Sequence, residues 1–259
     1  MVPHLDLLSL FNALVPVADQ AGAVVMDVYE HAIAVQTKAD QSPVTAADQK
    51  AEDVIVAALQ ALTPEFPIVA EEAVAQGKIP DIGSGPFWLV DPLDGTKEFI
   101  QRNGEFTVNI GLVVEGVPVL GVVYAPAVQR LYAGWEGGGS RCRVGQGTFV
   151  PISCRVPHTD QVTVLASRSH TSVGELDAWL QTIPHAQVMQ VGSSLKFCRV
   201  AEGSADVYPR FGPTSEWDTC AGHAVLKAAG GCVADPDGQP LAYGKSGFKN
   251  GPFVARGLR

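Results

Sequence analysis

The sequence predicts an α/β fold in two halves, an α+β N-terminal half over residues 1–158 and an α/β C-terminal half over residues 159–259. Three observations lead there. The chain opens on a long apolar repeat with helical spacing. A series of β-rich runs joined by short Gly-containing turns follows, the pattern of an antiparallel meander. Beyond about residue 160 the rhythm changes to alternating strand and helix, and such a change implies two halves with a cleft between them.

The first helix is expected over residues 5–29, where Leu7, Leu8, Phe11, Leu14, Ala18, Ala21, Val25 and Val28 recur at three-and-four spacing and Pro16 marks a kink or restart. A polar connection over residues 38–45 ends at Thr45, a residue suited to cap a helix over residues 46–62. Asp48 falls in the first turn of that helix, where a dipole-facing carboxylate and a catalytic one are both consistent. Residues 67–70 form a strand that delivers Glu71 and Glu72 to its tip, and residues 76–86 form a Gly/Pro loop. Strands then follow over residues 106–114, 119–124 and 131–135, with a flexible turn at Gly137, Gly138 and Gly139. In the second half, strands at 162–166, 186–191 and 206–208 alternate with helices at 172–180 and 193–202, the latter closed by Gly203. A helix over residues 217–229, with Asp218 in its first turn, is stopped by Gly230 and Gly231.

The stretch WLVDPLDGTKE, residues 88–98, holds the chemistry. Trp88, Leu89 and Val90 read as a buried strand stopped by Asp91-Pro92, since proline cannot donate to a sheet. Asp91 and Asp94 then stand past a strand end with Gly95 and Thr96 beside them, so carboxylates, carbonyls and a hydroxyl converge. Oxygen-only donors suit magnesium, and the N–H groups of Gly95 and Thr96 could cradle a phosphate if a helix starts there. The same D-P-x-D-G is also good turn chemistry, and alone it does not separate the two readings.

Composition narrows the function classes. Eighteen basic against 27 acidic residues give a net charge of −9, which argues against nucleic-acid and membrane-surface partners. Asp6, Asn12 and Pro16 interrupt any secretory signal, and no unbroken apolar run approaches the roughly 20 residues of a bilayer span. A soluble cytoplasmic protein without a transmembrane segment is the expectation. Five cysteines, widely spaced and without C-x-x-C, read as reduced core thiols rather than a zinc site. There is no nucleophile elbow and no phosphate-loop signature.

Four acids, Glu71, Asp91, Asp94 and Asp218, thus fall at element ends. A strand-borne Glu-Glu, then WLVDPLDGTKEFI, then WDTCAGHAVLKAAGG, in that order and spacing, resembles the lithium-sensitive, magnesium-dependent phosphatases that include the inositol monophosphatases. SPVTAAD, GVVYAP, SRSH, GSSLKFC and YPRFGPT are similar to the bacterial 3′(2′),5′-bisphosphate nucleotidase branch of that superfamily, and the likeness covers the chain from about Ala18 onward.

That resemblance implies a layered αβαβα fold and a division of roles. Glu71, Asp91 and the carbonyl of Leu93 would hold one magnesium, while Asp91, Asp94 and Asp218 would hold a second, with a third near Glu71 and Asp48 in some relatives. Thr96 and Asp48 match the pair that orients and deprotonates the attacking water. Lys196 and Arg210 match cations for a second substrate phosphate, and His170 and Ser193 match further substrate contacts. Glu71, Leu93, Asp94, Gly95, Thr96 and Asp218 would line the reacting phosphate. The implied reaction is removal of the 3′-phosphate of 3′-phosphoadenosine 5′-phosphate, and also of its sulfated precursor, with inhibition by lithium. The rival is inositol 1-phosphate hydrolysis. Glu216 is the residue that favours the rival, because an acid near that position contacts inositol hydroxyls in the monophosphatases. A non-catalytic nucleotide or metal sensor is a third reading, disfavoured by the complete set of acids. Monomer and homodimer both stay open, as does a peripheral position at the inner face of the membrane.

Overall fold

A computed structural model describes residues 5–31, 35–37, 43–157, 160–168, 173–183 and 185–258. The first half runs α1 (Leu7–His31), β1 (Val35–Thr37), β2 (Pro43–Thr45), α2 (Ala46–Leu62), β3 (Ile68–Ala70), α3 (Glu71–Ala75), β4 (Phe87–Asp94), α4 (Thr96–Ile100), β5 (Thr107–Val114), β6 (Val117–Ala125), β7 (Arg130–Trp135), β8 (Gly139–Val144) and β9 (Val150–Ile152). The second runs β10 (Val162–Ala166), α5 (Val173–Leu180), β11 (Ala186–Gln190), α6 (Leu195–Ala201), β12 (Val207–Arg210), β13 (Thr214–Ser215), α7 (Cys220–Ala228), β14 (Cys232–Ala234), β15 (Lys249–Asn250) and β16 (Phe253–Arg256). The expected change at residue 158 falls on a position outside the described residues.

Strands β3 to β9 form a seven-stranded sheet in sequence order, antiparallel except for the parallel β3–β4 pair. A five-stranded sheet of order β11-β10-β12-β16-β14 is parallel around β10 and antiparallel around β16. The first sheet is buried on both faces, which is why its strands read as continuous apolar runs. Trp88 and Val90 of β4, with Val108, Ile110 and Leu112 of β5, pack toward α1 and α2. Phe87 and Leu89 point the other way, into a core shared with α6, α7 and the second sheet. The layers are therefore helix pair, sheet, helix pair, sheet, and α5, the crossover between the parallel strands β10 and β11, adds the last helical layer of the expected αβαβα order. By the same alternation Asp91 and Asn109 face the α6–α7 side.

The sheet meets α7 at glycines. A Cβ on Gly121 would overlap the Ala221 carbonyl, and one on Gly134 would sit 2.8 Å from the Val225 Cα. Backbone approach of this kind leaves no room for a side chain.

Several sequence expectations are corrected. Asp91-Pro92 does not stop β4, which continues to Asp94. Between Asp91↔Asn109 and Asp94↔Thr107 three steps on β4 match two on β5, so Pro92 sits in a bulge, where its missing N–H interrupts no ladder bond. Glu71 and Glu72 do follow the tip of β3, and there they open a short helix, α3, that the local pattern does not announce. Asp218 precedes α7 instead of lying in its first turn. Pro16 lies inside an unbroken α1. The pairs β1–β2 and β13–β15, and the strands β8 and β9, were not anticipated.

Helix α1 is also more apolar than the search for an unbroken run implied. By length and composition alone, Leu7–Glu30 is long and apolar enough to cross a membrane. In the fold Phe11, Leu14, Ala18, Ala21 and Val25 bury one face of it against the sheet and α2.

Gly121→Ala is expected to lower unfolding stability by about 1–3 kcal/mol in urea denaturation, through overpacking of α7 on β6. An unchanged midpoint would contradict the close packing of α7 on that strand.

Candidate active site

The bulge in β4 builds the centre of the site. Asp91 is almost fully buried, and its Oδ1 accepts the Leu93 N–H at 3.0 Å, which tightens the turn through Pro92. The extra residue returns Asp94 to the register of β5, partly exposed at the strand end. Gly95 follows with φ +91°, a left-handed conformation that favours glycine, and Thr96 begins α4. A side chain at 95 would press on Ser193 and Glu98.

Helix α2 brings a second side to the centre. Glu52 is buried, and its carboxylate accepts the N–H groups of Glu72 at 2.7 Å and Ala73 at 2.8 Å, capping α3 and so fixing Glu71 at its first position. Asp48, one turn earlier on the same helix face, is buried.

The C-terminal half closes the ring. Ser194 donates its N–H to Asp94 Oδ2 at 2.7 Å and its hydroxyl to the Asp218 carbonyl at 2.6 Å. Asp218 Oδ2 accepts the Ser215 N–H at 2.8 Å. Ser193 has φ +46°, a left-handed conformation unusual for a residue with a side chain, and its Oγ lies 3.3 Å from Thr107 Oγ1.

The acids act on one another through their charges. Burial pushes the Asp91 carboxyl well above the usual range, and the charges of Glu71, Asp94, Asp218 and Asp48 push it further. Asp218 is pushed up to about 8 by burial and by Asp94 and Glu71, against the Ser215 N–H and Lys249. Asp94 is raised by burial and eased by Lys196, Ser194 and Arg210. All five acids therefore share one region of field.

Among the described residues no three or more His, Cys, Asp or Glu side chains make a ready-formed metal cage. One oxygen each of Asp91, Asp94 and Asp218 is instead held by a backbone N–H. The donor set still fits a hard divalent cation. It is entirely oxygen, and the mutual repulsion that raises affinity for protons raises affinity for a cation by the same field.

Lys196 is not a solvated surface lysine. It is buried, and its Nζ donates to the Ser193 carbonyl at 2.7 Å and the Val191 carbonyl at 3.2 Å. Burial lowers its ammonium to about 8, with Asp94 working against that loss. Arg210, partly exposed, donates to the carbonyls of Gly212 and Pro213, and its charge falls on Asp94 and Lys196. Both cations thus flank Asp94. His170 lies outside the described residues. Glu216 is turned away: its fully buried carboxylate accepts the N–H groups of Gly244 at 2.7 Å and Lys245 at 3.0 Å, and pairs with Lys245 Nζ at 2.6 Å.

The sequence reading passed over Glu52, Asn109 and Ser194. Asn109 did carry a signal, a lone amide within an apolar strand beside the acid-bearing one. Glu52 did not, since an acid on an amphipathic helix is ordinary.

The sequence profile described as the inositol monophosphatase family matches residues 6–255. The chain belongs to the inositol monophosphatase family. It is 47% identical over 236 residues to the 3′(2′),5′-bisphosphate nucleotidase CysQ of Escherichia coli, covering 90% of this chain and 94% of that one. It is 39% identical to the protein of the same name from Buchnera aphidicola, over 96% and 94% of the two chains. The crystal structure of CysQ from Bacteroides thetaiotaomicron superposes with a TM-score of 0.81 at 39% identity, over 97% of this chain and 98% of that one. An inositol monophosphatase from Anabaena superposes at 0.77 with 29% identity, over 97% and 92%. Members of this family are metal-dependent phosphatases, in keeping with the donor set.

The raised carboxyls have a stability consequence in metal-free protein. Below about pH 4 Asp218 is protonated in both the folded and the unfolded chain and contributes nothing. Between about 4 and about 8 only the folded chain keeps the proton, so stability falls as pH rises, and above 8 the penalty is complete. In chelator, Asp218→Asn is expected to flatten the decline of melting temperature over pH 5 to 8. An equal decline in the variant would count against the raised carboxyl.

Proposed function

We propose that the protein is a magnesium-dependent phosphomonoesterase that removes the 3′-phosphate of 3′-phosphoadenosine 5′-phosphate, giving AMP and inorganic phosphate. The observation that carries this is the placement of two cations, Lys196 and Arg210, against Asp94 at the edge of the acid cluster. An acid cluster alone serves any phosphate monoester. A paired Lys and Arg beside it serve a substrate with a second phosphate, since Arg offers a planar fork and Lys a point charge. The high identity to the nucleotidases named CysQ supports the same reading, and Glu216, held by Gly244 and Lys245, gives no support to an inositol-binding role.

In this reading Glu71, Asp91 and the Leu93 carbonyl would hold one magnesium and Asp91, Asp94 and Asp218 another, with a third near Asp48 and Glu71. When bound, magnesium neutralises the phosphoryl oxygens and makes water a better nucleophile. The N–H groups of Gly95 and Thr96 orient the reacting phosphate. Thr96 and Asp48 align the attacking water and accept its proton, while Lys196, Arg210, Ser193 and His170 hold the rest of the nucleotide. Lithium inhibition is the expected corollary, since an ion of half the charge in a magnesium position would leave the phosphoryl oxygens less neutralised. The two halves of the chain meet at this site, and the cellular role is removal of a by-product of sulfate assimilation. The five free cysteines support a cytoplasmic setting.

Phosphate release from 3′-phosphoadenosine 5′-phosphate and from inositol 1-phosphate, with and without magnesium, tests the reading. The expected result is a strong preference for the nucleotide and loss of turnover in Asp91→Asn. Arg210→Ala should raise KM for the nucleotide by roughly 10-fold or more, the loss of one charge-assisted contact, and leave inositol 1-phosphate hydrolysis little changed. Preference for inositol 1-phosphate would overturn the substrate, and full activity of Asp91→Asn would overturn the site.

A further inference from the structure

Asn109 interrupts an otherwise apolar strand, and it is completely buried. It stands directly across from Asp91, and cross-strand partners carry their side chains on the same face. Its Nδ2 donates to Ser194 Oγ at 3.1 Å. Ser194 thereby joins three elements: it accepts from Asn109, donates its hydroxyl to the Asp218 carbonyl, and donates its N–H to Asp94.

The direction of this relay is fixed by chemistry. The Asp218 carbonyl only accepts, so the single hydroxyl proton of Ser194 is committed to it. Asn109 can then offer Ser194 only its NH2, which leaves Oδ1 as the other end of the amide. That oxygen is buried and has no hydrogen-bond partner among the described residues. An unmet buried acceptor costs stability, and such groups persist where something else satisfies them.

We propose that Asn109 and Ser194 are positioning residues for the cation site. Ser194 sets the spacing between Asp94 and the Asp218 backbone, Asn109 fixes Ser194, and Asn109 Oδ1 takes its missing hydrogen bond from the hydration shell of bound magnesium. The donor set for this is apt, because magnesium keeps several of its waters when protein-bound. The inference rests on the magnesium reading above.

The test is calorimetric titration of magnesium chloride into the full-length metal-free protein, with melting temperatures in chelator alongside. Asn109→Ala and Ser194→Ala are expected to weaken magnesium binding about 10-fold or more, as removal of outer partners of metal ligands does. Ser194→Thr, which keeps the hydroxyl, should retain most of the affinity. The metal-free melting temperature of Asn109→Ala should fall little beside its magnesium affinity, because loss of the Ser194 bond is partly offset by removal of the orphaned oxygen. A purely structural role gives the reverse, a lower metal-free melting temperature with unchanged magnesium affinity, and that result overturns the proposal. Should Asn109→Ala not fold, Ser194→Ala decides alone, since it removes a single oxygen atom. Asp91→Asn separates the two levels. If it binds magnesium as tightly as the parent protein, the magnesium reading fails and the relay with it. If it loses binding while Asn109→Ala and Ser194→Ala keep it, only the relay fails.

Discussion

Repulsion among carboxylates gathered around the buried Asp91 is the constraint on which this molecule is arranged. Asp91 feels Glu71, Asp94, Asp218 and Asp48, and burial compounds the effect. A fold gains nothing from such a cluster as a structural feature, since each acid would be more stable in water. The chain nevertheless draws its acids from α2, α3, β4 and the turn before α7, and it fastens them. Leu93, Ser194 and Ser215 each give a backbone N–H to one acid, and Glu52 clamps the start of α3 beneath Glu71. Unfavourable charge held by many small favourable contacts marks a site kept for chemistry.

The two sheets make that fastening rigid. Gly111, Gly121 and Gly134 admit α7 against the first sheet, and Phe197, Tyr208 and Phe253 stack on the other side of the helical layer. Asp218 and Ser194 leave this layer toward the bulge of β4, so the carboxylates from both halves are set by packing rather than by loops alone. The same layer buries Lys196 and keeps it beside Asp94, where its charge offsets part of the repulsion.

Much of this was legible in the sequence, and the failures have physical reasons. The strand before Asp91, the acids at element ends, the meander and the later β–α alternation all follow from local pattern. The bulge at Pro92 does not, because proline ordinarily ends a strand and its tolerance here depends on the register of β5. Asp218 falls two residues ahead of α7 because its carboxylate closes a local turn onto the Ser215 N–H, and side-chain bonds of that kind do not show in apolar periodicity. Lys196 could be read as surface or as substrate ligand, and only the fold shows it enclosed and bonded to the 191–193 backbone. Glu216 looked like a second site acid until Gly244 and Lys245, distant in sequence, were seen to claim it. Ser194 and Asn109 matter through each other, and no local rule pairs residues 85 positions apart.

The central claim is that the buried acids hold protons which a divalent cation displaces. Calorimetric titration of magnesium into the chelator-treated protein near pH 6.5, repeated in buffers of different ionisation enthalpy, reads that exchange directly. The account predicts net proton release at pH 6.5 that diminishes as pH rises past about 8, where Asp218 has already ionised. Magnesium binding with no proton release at either pH would contradict it.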